Sequence, residues 1–366
     1  MEADVIVVGG GVMGLLSAWR MAQAGLAVTL FERGKPGAES SAAALGVLSV
    51  QAAEHRPAEY VQLQRASLAL YPALAEELRA YTGIDVELRA EGMLYAAFDD
   101  AEAEQLAPMQ TEQQASGIPV TRLTEQESRE LEPALSEHLR AALFFTATAQ
   151  VDNIRLCAAL ALAAARAGVQ LRPGQPVTRV LREGSRVTGV QVGQFIHRAG
   201  TVVAAAGSWS GTIEGLALPV RPVKGQALSL EAPVIIFHII DHAAGYVTPR
   251  RDGRLLVGAT VEEAGFDKRS TAGATRELLS GAIRAVPALG HAAIRETWAG
   301  LRPATADEMP VLGPVPSAQG LIAATGHFRN GILLAPLTAQ LVAGWAAGKK
   351  PEAGIDLRRF SPERFG

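Results

Sequence analysis

Cysteine is almost absent: the 366-residue chain has one, Cys157. A single cysteine rules out an internal disulfide and a cysteine-built metal site. Cys157 stands in the alanine-rich stretch LCAALALAAARAG, where it reads as an inert core thiol. Charge is also sparse. Charged residues make up 19% of the chain against 48% hydrophobic, and the net charge is -3. That balance suits a well-buried globular protein and argues against a disordered one. No basic face is available for nucleic acid, and the tail Arg358-Arg359 with Arg364 is too short to make one. No apolar run is long and uninterrupted enough to span a membrane. The N-terminal apolar run has no basic leader and carries Glu2 and Asp4, unlike a signal peptide. The expected location is the cytoplasm. His238 and His242 have a spacing that binds metal on a helix, but the surrounding VIIFHIIDH reads as strand, so no metal site is expected.

What is present is concentrated at the start. Val5 to Val8 is an apolar, β-branched run of the kind that forms a buried parallel strand. Gly9-x-Gly11-x-x-Gly14 follows, with Val12 and Met13 inside it. A helix-length apolar segment then runs to about Ala24, with Gly25 as its stop, and a second apolar run ends in the acid Glu32. Strand, Gly-x-Gly-x-x-Gly, helix, strand and acid together form the dinucleotide-binding arrangement. Gly9 permits the tight turn, Gly11 lets a pyrophosphate approach the backbone, and Gly14 lets the helix pack on the strand. The helix N-terminus offers free N–H groups and partial positive charge to the phosphates. Glu32 is placed to accept hydrogen bonds from ribose hydroxyls, and its charge disfavours the 2′-phosphate of NADP. The plain alternative is a glycine-rich turn of another α/β protein.

Further along, Tyr60 to Thr82 has helical spacing, Glu91 to Asp99 reads as a strand, and helices are expected near 100–116, 124–131 and 153–167. Thr201 to Ala206 is an apolar run ending in Gly207-Ser208-Trp209-Ser210, able to lie beside the first turn. From Arg221 the texture is strands, with Asp252-Gly253 as a hairpin signal. A helix is expected over 274–285 and a strand over 297–302. The last segment, GLIAATGHFRNGILLAPLTAQLVAGWAAG, repeats strand, glycine turn and helix, the helix beginning near Asn330. The expected fold is α/β (α+β), with nucleotide-binding pieces at both ends and in the middle and a sheet domain between them.

Seven stretches carry a resemblance: VIVVGGGVMGLLSAWRMAQAG, AESSAAALGVLS, AAAGSWSG, RPVKGQ, YVTPRRDGRLLVGAT, WAGLRPATADEMPVLGP and GHFRNGILLAP. In this order over residues 5–337, the chain resembles the D-amino-acid oxidase superfamily, and within it the glycine oxidase branch linked to thiamin biosynthesis. The resemblance implies a glutathione-reductase-type FAD-binding Rossmann domain (1–86, 146–217 and 299–366). It implies a substrate domain on a mostly antiparallel sheet (87–145 and 218–298). The implied reaction moves a hydride from the α-carbon of a small amino acid to flavin N5. The imine then hydrolyses or is consumed in thiazole formation, and O2 becomes H2O2. A homo-oligomer, a tetramer by resemblance, is also implied.

The same resemblance implies site roles. Arg302, in GLRP, holds the substrate carboxylate in a two-pronged contact, unless it is instead paired with Asp307 or Glu308. Tyr246 adds a hydroxyl to that carboxylate, and Arg329 lies close by. FAD is implied to touch Arg33, Ser40, Ser41, Gly46, Val47, Val177, Gly207 and Trp209. At the other end of the chain it is implied to touch Arg302, His327, Arg329, Asn330, Gly331 and Ile332. Some relatives attach FAD through a cysteine downstream of the motif; none stands there, so FAD is expected to be non-covalent. No general base is evident. The segment Ser40 to Leu48 departs from the branch by lacking a tryptophan and carrying Leu45 where a small residue is usual, which bears on pocket size. A dehydrogenase passing electrons to a quinone or carrier, and a non-catalytic flavoprotein, are the competing readings.

Overall fold

The computed structural model describes residues 3–53, 56–216, 218–349 and 354–365. The chain opens with β1 (Val5–Val8), α1 (Val12–Gln23), β2 (Val28–Phe31), α2 (Ser40–Ala43) and β3 (Val47–Leu48). Next come α3 (Ala58–Leu68), α4 (Tyr71–Thr82), β4 (Met93–Ala97), α5 (Asp100–Ala115), β5 (Val120–Leu123), α6 (Glu125–Leu131), β6 (Ala141–Phe145) and β7 (Ala149–Gln150). Helix α7 (Asn153–Arg166) leads to β8 (Gln170–Arg172), β9 (Val177–Glu183), β10 (Arg186–Val192), β11 (Phe195–Arg198) and β12 (Thr201–Ala204). The remainder is β13 (Arg221–Glu231), β14 (Ile239–His242), β15 (Gly245–Pro249), β16 (Arg254–Gly258), α8 (Ala272–Ala285), β17 (Ala293–Ala304), β18 (Val311–Pro314), β19 (Leu321–Thr325) and α9 (Gly331–Ala346).

Two sheets matter most. The first has the order β18-β19-β12-β1-β2-β8 and is parallel except where β18 meets β19. It is a Rossmann-type sheet gathered from distant parts of the chain. Its apolar residues alternate between faces. Val5 and Val7 join Leu15, Trp19, Leu160 and Leu341 in a core against α1, α7 and α9. Ile6 and Val8 join Val180, Val190 and Val202 in a second core under the small antiparallel sheet β11-β10-β9.

The second sheet has the order β17-β13-β16-β15-β14-β4-β6-β5. All its pairings are antiparallel except β14 with β4. Leu228, Leu230, Ile240, Val247 and Val257 pack on one face beneath Leu278 and Ala282 of α8. The opposite face, carrying Tyr246 and Ala227, looks towards the first sheet's glycine turns. Strand β17 runs unbroken through residue 299, so the division expected at 298/299 falls inside it.

Two expectations need correction. Residues 60–82 do not form one helix. The chain breaks between Leu68 and Tyr71, because Pro72 stands at the start of α4 and cannot be accommodated inside a continuous helix. Nor is VIIFHIID a strand throughout: β14 begins only at Ile239. The buried Glu132 takes the backbone N–H groups of Phe237 and His238 on one carboxylate oxygen, each at 2.9 Å, and so draws that segment off the ladder. Elsewhere the stop signals act as expected. Helix α7 ends before Gly168, which has φ +88°, and Asp252-Gly253 turns β15 into β16.

Candidate active site

One cavity of about 860 Å³ runs from the first glycine turn, between the two sheets, to the face of β15. Its size sits in the upper part of the ~300–1,000 Å³ range of small-molecule sites. At one end lies the turn after β1. Gly9 has φ +107°, and a Cβ there would stand 2.4 Å from the Ala205 carbonyl oxygen. Gly11, Val12 and Met13 open onto the cavity. Gly14 does not: it lies under the turn, where a Cβ would fall 1.9 Å from the Gly9 carbonyl oxygen. It permits packing and has no direct access to a ligand.

Glu32 lines the same end, and both its oxygens are engaged by the protein. One accepts the Gly10 N–H at 2.7 Å and the other the Gly34 N–H at 2.7 Å. The acid therefore braces the turn as well as presenting charge to a ligand. Arg33, Val177 and Trp209 complete this end, with the Arg33 guanidinium 3.5 Å from the Trp209 ring centre. Gly207 begins the turn after β12, and its carbonyl accepts the Thr325 hydroxyl at 3.2 Å.

The stretch from Ser40 to Val47 forms one wall. Ser41 Oγ accepts the Val12 N–H at the start of α1, 3.0 Å away. Ser40 donates its hydroxyl to the Leu301 carbonyl. Three side chains pin this small-residue segment by its backbone. Asn153 donates to the carbonyls of Ser41 and Ala42 at 2.7 and 3.0 Å, and Trp298 to that of Ala43 at 3.0 Å. The buried Arg250 donates to Leu45 and Val151 carbonyls at 2.9 and 2.8 Å; burial lowers its pKa. Gly46 and Val47 line the cavity beyond. Leu45 packs on Ala227 and Leu256 beside Tyr246 and Trp298, making an apolar wall where the sequence departed from its resemblance.

The other wall is the turn before α9. His327, Arg329, Asn330, Gly331 and Ile332 all line the cavity. His327 is buried, its ring 3.1 Å from the Thr338 hydroxyl, and burial pushes its pKa down to about 3. Asn330 donates to the Tyr60 hydroxyl at 2.8 Å, which fixes the turn to α3.

At the far end are the two residues expected to meet a substrate. Arg302 reaches back over Gly225. One terminal nitrogen donates to the carbonyls of Thr260 at 2.8 Å and Lys224 at 3.3 Å. The two acids that offered an alternative partner are taken: Asp307 pairs with Arg364 at 2.7 Å, and Glu308 with Arg56 at 2.7 Å. Burial lowers the pKa of Arg302, and among the described residues no carboxylate is hydrogen-bonded to it. Tyr246 stands beside it on β15, its hydroxyl pKa raised by burial and opposed by the charge of Arg302. Such a guanidinium, half-buried and held from behind, leaves its remaining donors free towards the cavity, in the geometry that a carboxylate accepts.

A model of the FAD-dependent oxidoreductase family (DAO) matches residues 4–345. The chain belongs to that family. It is 40% identical over 368 residues to the glycine oxidase of Geobacillus kaustophilus (strain HTA426), covering 99% of this chain and 97% of that one. It is 38% identical to the glycine oxidase of Pseudomonas putida (strain KT2440), covering 99% of each. The crystal structure of glycine oxidase from Geobacillus kaustophilus superposes with a TM-score of 0.93 at 38% identity over 98% of both chains.

As an FAD-dependent oxidoreductase, the chain binds FAD, and the cavity fits it. The glycine cradle that a Cβ would fill, with Glu32 beside it, suits the adenosine and pyrophosphate end. The turn before α9 and the Arg302 face suit the other. Cys157 is buried and does not line the cavity.

Sequence reasoning missed Asp241. It lines the Arg302 end of the cavity from β14, opposite Tyr246 in the strand register and beside Tyr95 of β4. Burial raises its pKa to about 7, opposed by the His242 backbone N–H and the charge of Arg329. Only the position of β14 within VIIFHIID shows that Asp241 points inward. His242, its neighbour, points the other way, where a Cβ on Gly281 of α8 would lie 2.7 Å from its ring. His238 is tied to Glu132 at 3.2 Å, so the two histidines do not converge.

Proposed function

We propose that the protein oxidises glycine and other small amines such as sarcosine and small D-amino acids. The balanced reaction for glycine takes O2 and water and gives glyoxylate, ammonia and H2O2. The observation that carries this reading is Arg302, a half-buried guanidinium in the cavity with donors to spare and, among the described residues, no carboxylate hydrogen-bonded to it. Bound FAD supplies the hydride acceptor. The chain's own residues supply position. Arg302 and Tyr246 hold the substrate carboxylate, Leu45 and Val47 shield the α-carbon from water, and Arg329 adds positive charge nearby. Orientation of this kind is the main source of rate when no proton-abstracting base is required.

The test is anaerobic. Glycine added to the yellow holoenzyme bleaches the flavin, and readmitted air restores the colour with release of H2O2. Bleaching without rapid recolouring would mark a dehydrogenase instead, and no bleaching by any of these amines would defeat the reading. Arg302→Leu removes a charge-assisted contact of about 1.5–3 kcal/mol and should raise the KM for glycine roughly ten- to a hundred-fold.

A further inference from the structure

Strand register and sheet order place one acid and one base on the same cavity floor. Asp241 on β14 lies directly opposite Tyr246 on β15, and Tyr246 directly opposite Gly258 on β16. The Arg302 guanidinium hangs over the edge of β16 and β13, anchored on Thr260 and Lys224. Asp241 and Arg302 line one cavity, with Tyr246 and Gly258 lying between them across the sheet, so a ligand on this floor meets an acid at one side and a cation at the other. Among the described residues no side chain is hydrogen-bonded to the Asp241 carboxylate. A half-buried carboxylate whose nearby cation, Arg329, acts through charge alone and makes no hydrogen bond to it is incompletely compensated. A ligand bearing positive charge completes the compensation.

We propose that Asp241 receives the amine of the substrate while Arg302 receives its carboxylate; this rests on the amine-oxidising reading given above. Asp241 is then a specificity-determining residue. It favours substrates with a cationic amine and repels acids that lack one or carry a second anionic group. The charged and titratable groups around it fit this part. Tyr95 faces it from β4, Tyr246 from β15, and Arg329 from the turn before α9. Arg302 completes the floor, and Glu277 of α8 stands at the cavity margin. Glu102 and Arg284 act on His242, on the other face of the sheet. Burial places the Asp241 pKa at about 7. Above that pH the carboxylate is ionised and pairs with the ammonium group, whose proton passes to it before the hydride leaves the α-carbon; below it the pairing is lost, while free glycine stays protonated throughout.

The experiment compares wild-type and Asp241→Asn holoenzyme with two small acids. Glycine carries an amine, and glycolate does not. Glycolate binding is read from the change in the flavin visible spectrum, and glycine from KM and anaerobic reduction. The expected result is a KM for glycine raised roughly ten-fold or more, with glycolate bound equally well or more tightly. The wild-type kcat/KM for glycine should rise through pH 7, and Asp241→Asn should lose that limb. Asp241→Glu should restore part of the glycine affinity. An unchanged KM for glycine, or equal weakening of glycine and glycolate, would overturn the assignment while leaving the activity standing. If glycine and the other amines fail to reduce the wild-type flavin, both the activity and the assignment fall.

Discussion

A Cβ on Gly225 would lie 2.4 Å from both terminal nitrogens of Arg302. The guanidinium rests on bare backbone, so its position depends on a glycine 77 residues earlier in the chain, on the strand paired with its own. Gly225→Ala therefore displaces Arg302 from its bond to Thr260 without touching the flavin end of the cavity. We expect KM for glycine to rise about ten-fold or more, with the flavin-to-protein ratio unchanged. Steady-state kinetics on the yellow variant measures this; an unaltered KM would show that the guanidinium is free to move.

Gly14→Ala acts at the opposite end. Its Cβ would fall 1.9 Å from the Gly9 carbonyl oxygen, and backbone cannot yield as a side-chain tip can. Helix α1 must shift away from the turn, at a cost of about 1–3 kcal/mol. The expected product is a purified protein with little bound FAD and a lower melting temperature. Retention of a full complement of flavin would show that the turn keeps its shape without this packing.

Cys157 offers a check on how the flavin is held. It is buried, and burial pushes its thiol pKa up to about 12, so little thiolate exists at neutral pH. Thiol reagents should label it only after unfolding. Acid precipitation should leave a colourless pellet and all flavin in the supernatant; a yellow pellet would reveal a covalent link.

Two buried histidines set an acid limit on stability. Burial lowers the pKa of His242 to about 4 and that of His327 to about 3. The unfolded chain, with histidine near 6.5, binds protons that the folded chain refuses. Stability is therefore full above about pH 6.5 and falls as the pH drops towards 4, by a few kcal/mol. Chemical denaturation at pH 7.5 and pH 5 should show it. Replacing His242 by Gln should flatten part of that slope, and no change in slope would mean that the ring finds a partner when charged.

The nucleotide turn was legible because its determinants are local. Gly9, Gly11, Gly14 and Glu32 lie within 24 consecutive residues, and each is required by backbone geometry that no distant contact can replace. The stop at Gly168 and the hairpin at Asp252-Gly253 were legible for the same reason. The break at Pro72 was equally local, but the helical spacing of Leu63, Leu74 and Leu78 on either side of it concealed it.

Other features depend on partners far away in the chain. Where β14 begins is decided by Glu132, more than a hundred residues upstream, which holds the N–H groups of Phe237 and His238. That start determines that Asp241 faces the cavity and His242 faces α8, since adjacent strand residues point to opposite sides. The hold of Asn153, Arg250 and Trp298 on the Ser40–Leu45 wall is likewise made across the fold. By itself the sequence determined the cradle for the dinucleotide, because a turn is built by neighbours. Tertiary structure alone decided which acid faces the cavity, because strand register is set by contacts between segments that are distant along the chain.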